Sequence, residues 1–110
     1  MPLIAGAARY LGAPYWLAMI EAAAKSVPEA KFEALLECGG AYGLALDALR
    51  RGAKAIRVAG RKDVLARVAD IARQSGARLE RGPARPGALD LGEARDPLAA
   101  ARAFLARRRR

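Results

Sequence analysis

The chain predicts an α/β domain. It should carry a mostly parallel sheet of about four strands, βαβ crossovers in the flavodoxin or Rossmann-like three-layer style, and a C-terminal helix. Two observations predict this. Short apolar runs bounded by glycine alternate with longer segments whose apolar residues recur every three to four positions. That alternation of strand and helix is what a parallel sheet with right-handed crossovers requires. At 110 residues the chain is also the length of one domain, with residues 1–106 as its body.

The elements follow in order. Leu3, Ile4 and Ala5 form a first strand ending at Gly6, and Gly6 to Ala13 is a loop. Pro14 suits the first turn of a helix, where its missing N–H costs nothing. Trp16, Leu17, Ile20, Ala23, Ala24 and Val27 then share one helical face, and Pro28 stops that helix. Phe32 to Cys38 alternates as a strand should and ends at two glycines. Ala41 to Arg51 is a helix with Gly52 at its C-terminal cap. Ala55 to Ala59 is a strand ended by Gly60. Lys62 to Gln74 carries one apolar stripe through Val64, Leu65, Val68, Ile71 and Ala72. Ala77 to Leu79 is a fourth strand. Residues 80–96 are rich in proline and glycine and read as a loop or arm, which Ala88 to Leu91 pins to the body. Asp96 and Pro97 then supply a helix N-cap and first residue, ahead of a stripe through Leu98, Ala101, Phe104 and Leu105.

Composition removes several chemistries. The chain has no histidine, which excludes His-based acid–base catalysis, Ser–His and Cys–His dyads and His-ligated metals. A single cysteine excludes an internal disulfide, a CxxC pair and any multi-cysteine metal site. No cofactor is expected. The 54% hydrophobic content conceals 28 alanines, so the bulky core is modest. The net charge of +9 is carried by sixteen arginines and four lysines, a balance that GC-rich coding of a bacterial type also produces. Four of these charges form the basic tail Arg107 to Arg110, and the remainder of the chain carries +5. No aromatic residue interleaves that run, so solvation and helix-dipole compensation account for it, and nucleic acid is not an expected partner. No stretch approaches a membrane span, and the apolar start lacks the basic region of a signal peptide. A reducing, cytoplasmic setting is the expectation.

In open α/β sheets ligands bind beyond the carboxyl ends of the strands. Here that rule selects the loops at Gly6 to Ala13, Gly39 to Gly43, Gly60 to Lys62 and Glu80 to Gly82. They supply Gly6, Gly12, Gly39 and Gly40 as close-approach positions, Arg9 and Arg61 as cations, and Tyr10 and Tyr42 as an aromatic wall. Several run directly into helix N-termini, which favour anions. A small anionic ligand bound without catalysis is therefore the expected function. The glycines match neither a dinucleotide fingerprint nor a P-loop, and tight βα turns alone also demand glycine. Glu37 is the one carboxylate placed for chemistry. The competing account leaves Glu33 and Glu37 solvated or paired with arginines such as Arg57 on a half-covered face. Cys38 is expected to be a buried, inert thiol. The alternative function is a homo-oligomeric structural or protein-interaction module, its modest core completed by a second copy.

Overall fold

A computed structural model of the protein describes residues 1–7, 12–81, 85–92 and 94–108. It shows the α/β domain the pattern predicts: β1 (Leu3–Ala7), α1 (Gly12–Ser26), β2 (Glu33–Gly39), α2 (Tyr42–Arg50), β3 (Ala55–Val58), α3 (Lys62–Gln74), β4 (Arg78–Glu80), β5 (Leu89–Asp90) and α4 (Pro97–Ala106). Among the described residues five strands, all parallel, lie in the order β4-β3-β2-β1-β5. The chain steps outward from β1 to β4, then returns to the far side of β1, consistent with a flavodoxin or Rossmann-like arrangement.

Most element ends fall within a residue or two of the sequence pattern, and two differences bear on the sheet. Gly6 belongs to β1 and not to the following loop, because β1 pairs with β2 as far as Ala7 opposite Glu37. The arm contributes a fifth strand of two residues, Leu89 and Asp90, which pair with Ile4 and Ala5. So short a strand has no periodicity to detect. It exists because β1 offers an edge that would otherwise hold unpaired backbone groups.

The sheet's two faces are unequal. Side chains alternate along each strand, so Ile4, Leu36, Cys38, Ile56 and Val58 point to one face and Leu3, Leu35 and Ala55 to the other. All four helices cover the first face, with α4 beside α1, α1 beside α2, and α2 beside α3. Trp16 is the largest side chain in that layer and is only 3% exposed. Its burial contributes on the order of 3 kcal/mol. The second face meets a thinner third layer, the segment around residues 85–88, where Ala88 packs on Leu3 and Leu35. Asp96 caps α4 as its position predicts, its Oδ1 accepting from the Ala99 amide at 3.1 Å.

Candidate functional site

The strands finish at one end of the molecule, and four of the sequence-selected residues meet there: Gly39, Gly40, Tyr42 and Arg61. Gly39 adopts φ +54°, which turns the chain from β2 into α2. Added side-chain carbons at Gly39, Gly40 and Gly43 would meet no atom within 4 Å, so the backbone around this turn is open to approach. Ala41 is the N-cap of α2 and has no side chain able to cap it. The Tyr42 amide donates to Gly40 O at 3.1 Å, and the first helical bond runs from the Ala45 amide to Ala41 O. The intervening amides of Gly43 and Leu44 have no acceptor among the described residues.

Tyr42 ties this turn to the next one. Its hydroxyl donates to Ala59 O at 3.0 Å, and its ring fills the place where a Gly60 side chain would stand. A Cβ at Gly60 would lie 1.6 Å from the phenol oxygen, and Gly60 also sits at φ +148°. Only glycine fits there. The two loops are thereby fixed side by side, with Arg61 and the start of α3 next to Tyr42. Arg61 is exposed and donates twice to Asp63, at 2.6 and 3.1 Å. This pairing holds the Asp63 carboxyl below its ordinary range and raises Arg61 further above neutrality.

The other selected residues stand elsewhere. Gly6 and Gly12 lie at the ends of the β1-to-α1 connection. The space beside Gly6 is taken by the Trp16 ring and Leu91, which a Cβ would meet at 3.0 and 3.2 Å, so this glycine serves close packing. Arg9 and Tyr10 lie outside the described residues. Glu37 points to the opposite face from the helices and accepts from Arg57 Nε at 2.7 Å. Leu3, Ala5, Arg85, Gly87, Ala88 and Asp90 join this pair around a shallow cavity of about 410 Å³. Glu33, two pleats earlier, accepts from both Arg78 and Arg85, and Arg78 donates onward to Glu80. Arg78 first, then Arg85, holds the Glu33 carboxyl below its usual value. The two glutamates therefore belong to a cross-strand charge lattice on a half-covered face. Cys38 is buried on the helix side, and desolvation pushes its thiol up to about 11, which favours the protonated form at neutral pH.

Sequence reasoning missed the partners that hold this end together. Nothing near Tyr42 in the chain points to Ala59 seventeen residues on, although strand–glycine–helix repeats in adjacent βα units predict that their turns are neighbours. Asp63 as the mate of Arg61 was visible as an i+2 pair. Among the described residues, no group of three or more Cys, Asp or Glu side chains could hold a metal ion, and no helix is long and apolar enough to cross a membrane.

The class defined so far is a small parallel α/β domain with an open, glycine-lined turn beside an exposed arginine. Compared with protein-family models, with curated proteins and with solved structures, the chain matches none.

Proposed function

We propose that the protein is a non-catalytic domain that binds a small anion, such as a phosphate or carboxylate group, at the start of α2. The observation that carries this is the open turn Gly39–Gly43. Two first-turn amides of α2 are unpaired there, no side chain caps the helix, and nothing crowds the backbone. Such a terminus concentrates partial positive charge on groups that point outward. Arg61 and Lys62, both exposed at the adjacent turn, add full positive charge. Binding would draw Arg61 partly away from Asp63, so the ligand must compete with an internal carboxylate, and the expected affinity is modest.

Catalysis finds no support in the same geometry. Glu37 is engaged by Arg57 on the other face, and Cys38 is buried and protonated. The experiment is a calorimetric titration of the folded protein with inorganic phosphate, nucleotides, sugar phosphates and small carboxylates. Saturable binding that Arg61→Ala weakens severalfold is the expected result. Absence of binding by every anion, in protein shown to be folded, would reject the proposal. A homo-oligomeric module is the second reading, favoured by the open hollow that the second sheet face keeps beside Ala5, Glu37 and Arg57. Light scattering at high concentration separates the two, because the ligand-binding reading works in a monomer.

A further inference from the structure

We infer that the protein has a second binding site at the opposite end of the sheet, for a single-chain amphiphile with a carboxylate head. The alkyl chain would lie in a groove between α1 and the end of α2, with the head at Lys54. The groove has a volume of about 460 Å³, within the range of small-ligand sites. Its cause is a mismatch of helix lengths. The 15 residues of α1 span about 22 Å, whereas the nine of α2 span about 14 Å. The chain leaves α2 at Arg50 and turns through Gly52 into β3, so the later turns of α1 face no neighbouring helix on that side.

What this leaves uncovered is apolar. Leu17, Ile20 and Ala24 stand along α1 at helical spacing, and Trp16, Phe32 and Ala53 line the same groove. The rim carries charge, and the charges are unequal in their commitments. Glu21 pairs with Lys25 at 3.1 Å, and Glu33 is held by Arg78 and Arg85. Lys54 is exposed and has no carboxylate partner among the described residues. An apolar slot with one uncommitted cation at its mouth complements an alkyl chain ending in a carboxylate. A neutral chain would leave Lys54 unanswered, and a cationic head would be repelled.

Trp16 is the only tryptophan of the chain and lines the groove, so its fluorescence reports occupancy directly. The test titrates the protein with octanoate, decanoate and dodecanoate below their micelle concentrations, with decanol as the neutral control. The expected result is a saturable change in emission, with affinity rising two- to fourfold per added methylene. Lys54→Glu should weaken decanoate about tenfold and leave decanol within twofold. Ala24→Leu should weaken both ligands, and circular dichroism verifies that each variant is folded. Lys54 is exposed, so its variant keeps the test decisive if Ala24→Leu fails to fold. Absence of a saturable change in the native protein would overturn the inference. So would equal loss of decanoate and decanol in Lys54→Glu, or co-sedimentation of the ligand-free protein with anionic phospholipid vesicles that Lys54→Glu abolishes, which would place a membrane surface there instead.

Discussion

Where the strands finish, shape governs the surface: glycines at the turns, a tyrosine spanning two loops, and helix amides without caps. Where the strands begin, charge and apolar side chains govern it. Helices in these units run back against their strands, so α1, α2 and α3 end here with Lys25, Arg50 and Arg73 in their last turns, and Arg107 and Arg108 follow α4. Each cation offsets the negative end of a helix dipole. Much of the excess positive charge is thus structural and lies away from the turn proposed to bind an anion. On the proposed reading, net charge alone does not mark where a phosphate would dock. On that reading, uncapped amides and backbone access mark the place better than the density of arginine.

If that contrast is right, substitutions at the glycine-lined end should be costly and those at the basic end cheap. Gly60→Ala should have the greatest effect, on the order of 3 kcal/mol, because the new methyl group collides with the Tyr42 phenol in a backbone conformation that disfavours side chains. Urea denaturation measures it, and a loss under 1 kcal/mol would mean that the two loops are not locked together. Tyr42→Phe removes only the bond to Ala59 O and should cost about 1 kcal/mol. Glu33→Gln, at the strand-beginning end, should cost about 0.5–1 kcal/mol at neutral pH, because its arginine partners are partly solvated.

The same glutamate sets a pH dependence. Its folded-state carboxyl titrates below its ordinary value, so its contribution is complete above the unfolded-state value and fades as pH falls through the lower folded-state one. Stability of the native protein should therefore drop more steeply on acidification than that of Glu33→Gln, as thermal melts at stepped pH would show. The smallest effect concerns Cys38. Its reaction with a thiol reagent at pH 8 should follow global unfolding, whereas rapid modification of native protein would show that the β2 end opens locally.

Much of this fold was legible because helix and strand periodicities are local. The stripe through Val64, Leu65, Val68, Ile71 and Ala72 placed α3 at Lys62–Gln74, although Ile71 lies at its exposed edge, and Asp96-Pro97 placed the start of α4. The pairing of Glu37 with Arg57 was also within reach, since alternation put the glutamate on a face it could not share with the core. Other features depend on contacts distant in sequence. Strand order decides that Tyr42 meets Ala59 and that Glu33 meets Arg78 and Arg85, and no single strand encodes that order. The groove beside Leu17 and Ile20 arises from what α2 lacks, and a pattern of residues cannot display a missing turn.

The most direct measurement is a titration of isotopically labelled protein with inorganic phosphate, followed through its backbone amide resonances. The structure predicts saturable shifts concentrated at Gly40, Gly43 and Leu44, with smaller ones at Arg61 and Lys62. Shifts absent from Gly40, Gly43 and Leu44, or linear and unsaturated throughout, would contradict anion binding at the start of α2.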